Sequence, residues 1–423
     1  MFDQSAPLED GFQILPHATI WIFYYTLSKL SLLYLFPANS LLTALTYLSG
    51  IVVLDMNQTP YGIANAFGIK SHDALTRFLS SHTSSSASIM QALVKLASRL
   101  SPGYLIVDDV IIPKEYSKKI PATYWVKDTS RNRHIFAQTL VVILWSNGWI
   151  KIPVAFELWH KRGFITPYQT KNQIARRLLK QIISAGIKPH YIALDSWYAS
   201  RSNLHFISKL GYHFVTRLKK NSRLKFNGLR LSTHQLAKKF GRGLIRYYPQ
   251  LRAYARKLAV NYPRFGQLAL VVVKNDPHQE PGQTKYIITN NLEWTTRQIV
   301  ERYRTRWDIE VFFRDVKQHL GITACQSRKL MTINRHFALV FLVYTCLDFI
   351  RNHRTETIGD VKRNLQSQMI VTVSGKPDAL INFQKVLTKR LPEIQIVKEQ
   401  VGTSLAEQIA SKFRLIARFK KSA

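Results

Sequence analysis

The chain has 423 residues, 46% of them hydrophobic and 20% charged, with a formal net charge of +35 at pH 7. That length and apolar content suit two or three globular domains with a substantial core, and they exclude a disordered or fibrous chain. Two cysteines, Cys325 and Cys346, give neither a disulfide framework nor a metal-site spacing, so a reducing compartment is expected, and a charge of this size is best tolerated opposite a polyanion.

The opening MFDQSAPLED carries acids where an export signal needs bases, so none is expected there. His17 to Phe36 is apolar but interrupted by Lys29, Ser and Thr, and Leu41 to Leu54 is too short to span a bilayer. Both read as buried helices, with no membrane span. Residues 1–100 hold five Lys/Arg and five Asp/Glu, so the whole excess charge belongs to 101–423. This first stretch reads as a helical N-terminal domain. Within it, Pro60 to Ser80 gives a helix, a break at Gly68 and a second helix. The pattern suits a plain helical hairpin as well as a helix-turn-helix that binds a DNA end.

From 101 the texture becomes β-rich. Tyr104 to Ile112 (YLIVDDVII) is an apolar strand carrying two acids. His134 to Leu144 and Trp149 to Leu158 follow, with Asn147-Gly148 as the hairpin turn between them. A helix over Lys171 to Ala185, a strand over His190 to Leu194, a helix over Ser200 to Leu210 and a strand over Tyr212 to Leu218 complete a mixed α/β layer over 101–218. Residues 219–294 read as a β-rich basic insertion. Ser196 to Asn275 holds 17 Lys/Arg and no Asp or Glu, interleaved with tyrosines such as Tyr247 and Tyr248, a composition suited to a phosphate backbone.

The segment 295–350 supplies one helix from Thr296, capped by Thr295 and ended by Gly321, and a second over Arg335 to His353. On the first, Tyr303, Arg306, Glu310 and Lys317 fall within an arc of about 60°, beside the apolar set Ile309, Phe312, Phe313, Val316 and Leu320. A charged stripe is usually a solvated face held by i,i+4 pairs, and the aromatic within it is the unusual element. Residues 351–423 read as a helical C-terminal region with a basic tail.

Phosphodiester chemistry needs charge neutralised on the attacking and leaving oxygens, which two divalent cations on a few carboxylates accomplish. Carboxylates stand in three places: Asp108 and Asp109 in the first strand, Asp195 at the end of IALD, and Glu310 in the stripe. An acid within an apolar strand is costly unless paired or metal-bound. Side chains alternate along a strand, so only one of Asp108 and Asp109 can face the other two.

Tyr303-x₂-Arg306-x₃-Glu310-x₆-Lys317 resembles, without a gap, the Y-R-E-K signature of DDE insertion-sequence transposases, and LIVDDV and IALDSWYAS resemble the regions of that family's first and second Asp. The resemblance covers roughly 101–320 well and the termini poorly. It implies an RNase H-like core whose two parts flank a β-strand insertion, consistent with the 115-residue separation of Asp195 and Glu310. It further implies a catalytic, metal-binding triad of Asp109, Asp195 and Glu310. Asp109 is chosen over Asp108 because it directly precedes the β-branched Val110; the family more often has Thr there, which leaves Asp108 open. Tyr303, Arg306 and Lys317 would contact DNA. Two Mg²⁺ ions, with Mn²⁺ as a substitute, would serve strand cleavage and joining of 3′-OH ends to target DNA. The partners would be double-stranded DNA, at transposon ends and target, and a second copy in a homodimer, in a bacterial or archaeal cytoplasm near the nucleoid. The rivals are an RNase H-like nuclease or resolvase and a non-catalytic DNA-binding protein. Trp294 and the Tyr247-Tyr248 pair are candidates to stack on a flipped base, although core packing explains each as well.

Overall fold

The computed structural model describes residues 17–373 apart from 70, 82–83, 118, 129–131, 165, 241–244 and 277–282. Two compact units emerge: the described residues up to Ile89 with His319–Cys325 and the chain from Arg335, and Met90–Gln318 with Gln326–Asn334. The helices expected over 376–423 lie outside the described residues.

The first unit is helical. It begins with α1 (His17–Lys29), α2 (Ala38–Val53), α3 (Pro60–Ala66) and α4 (Asp73–Ser80). Thr59 caps α3 by accepting from Gly62 N–H, and Pro60 takes the first helical position, where its missing N–H costs nothing. Gly68, at φ +61, makes the left-handed turn before α4. Helix α4 buries Leu75, Phe78 and Leu79 and shows Thr76 and Arg77 to solvent. Helix α5 (Ser86–Arg99) leads into the second unit.

That unit is built on one mixed sheet. Its first elements are β1 (Gly103–Pro113), β2 (Tyr124–Asp128), β3 (Arg133–Ser146), β4 (Lys151–Leu158), α6 (Lys171–Ser184), β5 (Pro189–Leu194), α7 (Arg201–Lys209) and β6 (Phe214–Arg217). Strand β1 is central: antiparallel to β3, parallel to β5, with β5 parallel to β6. A strand covered on both faces must be apolar on both, which is why YLIV and its neighbours form an unbroken buried run. Asn147 Oδ1 accepts from the N–H groups of Trp149 and Ile150 and closes the expected hairpin between β3 and β4. Thr170 and Gln173 form a reciprocal cap on α6, which buries Ile174, Leu178 and Ile182. The sequence pattern does not predict the short strand β2.

The basic insertion continues this sheet. Strands β7 (Arg223–Phe226) and β8 (Leu229–Ser232), helix α8 (Thr233–Phe240), and strands β9 (Arg246–Tyr248), β10 (Ala253–Tyr262), β11 (Gly266–Lys274) and β12 (Lys285–Thr289) follow in order. β12 pairs antiparallel with β6, and β11, β10, β7 and β8 extend outward from it. The free edge that β6 would present is thereby covered. Helices α9 (Thr296–Arg304) and α10 (Trp307–Gln318) close the unit.

The last described helices are α11 (Leu330–Ile350) and α12 (Ile358–Val373). Among the described residues α11 alone is long and apolar enough to cross a membrane, and 83% of its most apolar window is buried inside the protein. Within the first unit, Tyr47 Oη lies 2.8 Å from His336 Nδ1, and Lys362 Nζ donates to Leu54 O at 2.8 Å while pairing with Asp55 at 3.0 Å.

Candidate active site

Strand alternation sets the first relation. Val107 pairs with Leu194 in the parallel β1–β5 ladder, and Ile106 with Ala193. Their successors Asp108 and Asp195 therefore fall on one face, and Asp109 on the other. The Tyr104 and Tyr191 rings, in step with Asp108 and Asp195, stack at 5.2 Å and 12°. Helices α9 and α10 are tied to this face. Tyr104 Oη donates to Asp308 Oδ2 at 2.6 Å, and Tyr191 Oη lies 3.1 Å from Thr305 Oγ1. Burial and the Asp308 carboxylate raise the Tyr104 phenol, and burial pushes Tyr191 up to about 12, so both stay protonated.

The single helix expected from 296 is two. Thr295 caps α9 as predicted, but the chain breaks at Thr305–Arg306. Thr305 Oγ1 donates back to Arg302 O at 2.7 Å, and Arg306 N and Asp308 N bond to Tyr303 O and Thr305 O in tighter i+3 turns. A threonine hydroxyl that competes with the backbone ladder explains the interruption, which the apolar periodicity does not reveal. Ile309, Phe312 and Val316 of α10 are nevertheless fully buried, as their spacing requires.

The break leaves Arg306 at the centre of the site. Its Nη1 lies 3.7 Å from Asp108 Oδ2 and 3.6 Å from Asp195 Oδ1, and its Nη2 donates to Glu310 Oε1. The Tyr303 ring lies 5.9 Å from the guanidinium carbon. Burial works against the Arg306 charge, but Tyr303, Glu310 and Asp195 outweigh it and hold the guanidinium above its ordinary value. Burial likewise raises the Tyr303 phenol, against the pull of Arg306. Of the predicted residues, then, the structure brings together Tyr303, Arg306, Glu310 and Asp195. Lys317 is exposed on α10, seven residues beyond Glu310 and so about 10 Å along the axis.

The family resemblance joins Asp109 to Asp195 and Glu310, but the carboxylate that shares Arg306 with them is Asp108. Asp109, on the opposite face, accepts from Lys171 Nζ at 2.8 Å and Tyr198 Oη at 2.9 Å. Lys171 also lies 4.9 Å from the Trp197 ring centre. Lys171 and Tyr198 escape a sequence reading because nothing local marks an α6 lysine as the partner of an acid 62 residues earlier. Trp294 packs against Tyr191 and His213, with the Arg302 guanidinium 4.3 Å above it, which is the packing alternative. Tyr247 is exposed on β9, 5.0 Å from the Tyr254 ring.

Burial raises the Asp108 carboxyl well above the usual carboxylate range, the charges of Asp195 and Asp109 add to this, and Arg306 opposes it. A raised acid holds in the folded state a proton that the unfolded chain has released. Without metal, the fold should therefore lose stability as pH climbs above the ordinary value of 3.8. Asp108→Asn removes the penalty and should raise the melting midpoint in EDTA by roughly 2–4 °C at pH 7, with less gain at pH 4. A lowered midpoint at both pH values would mean that the pairing with Arg306 outweighs burial.

Among the described residues no group of three or more His, Cys, Asp or Glu side chains is disposed to hold a metal ion. The three carboxylates close on the guanidinium instead. In donor chemistry they still fit a hard divalent cation, being carboxylate oxygens gathered around one positive charge.

A family model described as DDE superfamily endonuclease matches residues 32–264, more than half of the chain. The match includes Asp108, Asp109 and Asp195 and ends before Glu310. No curated protein matches. Among solved structures, the chain is similar to the piggyBac transposase in a synaptic complex with hairpin DNA, at 10% identity and a TM-score of 0.44, over 92% of this chain and 88% of that one. It is also similar to the Drosophila P element transposase in a strand transfer complex, at 14% identity and a TM-score of 0.22, over 49% of each chain.

Proposed function

We propose, since the chain belongs to the DDE superfamily of endonucleases, that it is a DNA transposase. It binds the ends of an insertion sequence, cleaves DNA strands there and joins the 3′-OH ends to target DNA. The observation that carries this reading is the convergence of Asp108, Asp195 and Glu310 on Arg306, on the sheet face beneath α10. The central order β3-β1-β5-β6 supports an RNase H-like core, and the strands β7 to β12 support the insertion within it.

In this reading Asp108, Asp195 and Glu310 hold Mg²⁺, in two ions, or Mn²⁺ in its place. Such ions, when bound, neutralise charge on the attacking and leaving oxygens of a phosphodiester. The chain's own groups position the substrate. Arg306 and Lys317 take phosphates, and Tyr303 stacks or donates beside them. Lys171 and Tyr198 hold Asp109 on the far face and so fix the β1 backbone that carries Asp108. Two ends must meet for joining, so the active species is a homodimer on DNA.

The insertion grips the duplex. Lys225 and Arg230 are cross-strand partners in the β7–β8 hairpin, Arg223 lies two residues away on the same face, and all three are exposed. Duplex affinity should fall steeply with salt. Replacing Arg223, Lys225 and Arg230 by Ala should flatten the log–log slope by about 2–3, at roughly 0.9 for each phosphate left without its cation. Titrations from about 50 to 300 mM NaCl that give the same slope for both proteins would place the grip elsewhere.

The decisive assay pairs the purified chain with duplex DNA carrying the sequences that flank its gene, in Mg²⁺. Cleavage at the element ends, followed by joining to a second duplex, is expected. Cutting without joining would favour the nuclease reading. The absence of metal-dependent cleavage would leave a DNA-binding protein.

A further inference from the structure

Arg306 is unusual for a structural ion pair. Its side chain is 14% exposed, and it meets three carboxylates rather than one. Its Nε is buried with no hydrogen-bond partner. A buried N–H left unmade is costly, so the guanidinium is held by charge without being saturated. Its backbone lies in the break between α9 and α10, where Arg306 N bonds to Tyr303 O at 3.1 Å in an i+3 turn rather than in a helical ladder.

The oxygens that face the guanidinium are also those that would face a divalent cation. Two positive species cannot use them together without repelling each other at close range. The guanidinium fork, however, also matches a phosphate, which can accept two of its N–H groups side by side. We propose that Arg306 is an internal counter-ion that locks the carboxylates against divalent cations until a DNA phosphate draws the guanidinium away. The inference rests on the reading of Asp108, Asp195 and Glu310 as the cation-binding carboxylates.

Linkage fixes how such a lock behaves. Without DNA, the protein binds a cation only in the fraction of molecules whose Arg306 has swung out, and its apparent affinity falls by that fraction. Phosphate and cation binding then strengthen each other by the same factor. Metal loading is thereby confined to DNA-bound protein, and no free, charged nuclease accumulates.

The test measures Mn²⁺ binding to the full chain by electron paramagnetic resonance of the free ion, without DNA. Arg306→Met should bind Mn²⁺ about tenfold or more tightly than the wild type. Arg306→Lys keeps the charge, but a compact ammonium cannot bridge three carboxylates, so it too should bind more tightly than the wild type. Adding a duplex of the flanking DNA, about three helical turns long, should raise Mn²⁺ affinity in the wild type and leave Arg306→Met nearly unchanged. Thermal melts report whether each variant is folded, with Arg306→Gln as the substitute for an unfolded Arg306→Met. Equal or weaker Mn²⁺ binding by Arg306→Met overturns the lock, and Arg306→Lys behaving as wild type reduces Arg306 to a general positive charge. Asp195→Asn separates the two levels of the argument. It should weaken Mn²⁺ binding in either background, and if it does not, the carboxylate reading itself has failed.

Discussion

Asp195→Asn should reduce strand cleavage in Mg²⁺ by about 10³-fold or more while leaving duplex affinity, measured in EDTA, within about twofold. Asparagine keeps the shape of the side chain and removes the charge, so the sheet and its helices are retained. Asp195 Oδ2 accepts from Trp197 N–H at 3.0 Å, a bond that an amide oxygen can still accept. What disappears is the charge of one of the three carboxylates that meet Arg306, which on the proposed reading are the donors to the cation. Duplex affinity survives because the exposed cations lie elsewhere, on the β7–β8 hairpin among other places. Asp108→Asn should behave in the same way. Asp109→Asn should not: it weakens the pairing with Lys171 on the far face and lowers stability by roughly 1–3 kcal/mol, with a smaller effect on turnover. A dead Asp109→Asn beside an active Asp108→Asn would reverse the assignment of faces. Normal cleavage by Asp195→Asn would remove the site altogether.

The same pair of aspartates marks where sequence reading succeeds and where it stops. YLIVDDVII announces a buried strand, and alternation announces that its two acids part company. Which acid faces Asp195 depends on the β1–β5 register, with Val107 opposite Leu194, and register is a tertiary fact. The choice of Asp109 leans on the residue after it, which carries no information about register. The strands of the core are legible because both faces are buried, so their apolar runs are long. β2, β7, β8 and β9 are not, because strands of three to five residues on a polar surface leave little periodicity. The helix break is hidden for a related reason. Ile309, Phe312, Val316 and Leu320 keep helical spacing beyond it, and only the Thr305 hydroxyl, together with its partner Tyr191 from β5, shows why the ladder stops. Lys171 cannot be found at all without the fold.

Phe312→Ala should cost about 3–5 kcal/mol of stability. Phe312 is fully buried on α10, with Ile309 and Val316 buried on the same stripe and the Phe313 ring 5.6 Å away. Removing the ring takes away its transfer free energy and leaves a cavity that two neighbouring helical residues cannot collapse to fill. The loss should fall on the site as well as on the fold. Glu310 precedes Phe312 by two residues on the same short helix, and the polar anchor near it, Tyr104 to Asp308, lies at the start of α10. With the stripe undermined, α10 is held at one end, and the alignment of Glu310 with Asp108 and Asp195 loosens. Phe312→Leu, which keeps most of the volume, should cost less than about 1.5 kcal/mol and preserve cleavage. Urea unfolding followed by tryptophan fluorescence measures the first effect, and hydrogen exchange of the α10 amides locates it. A Phe312→Ala protein within about 1 kcal/mol of wild type, with α10 as protected as before, would show that the helix docks by some other surface, and the placement of Glu310 over the aspartates would lose its structural support.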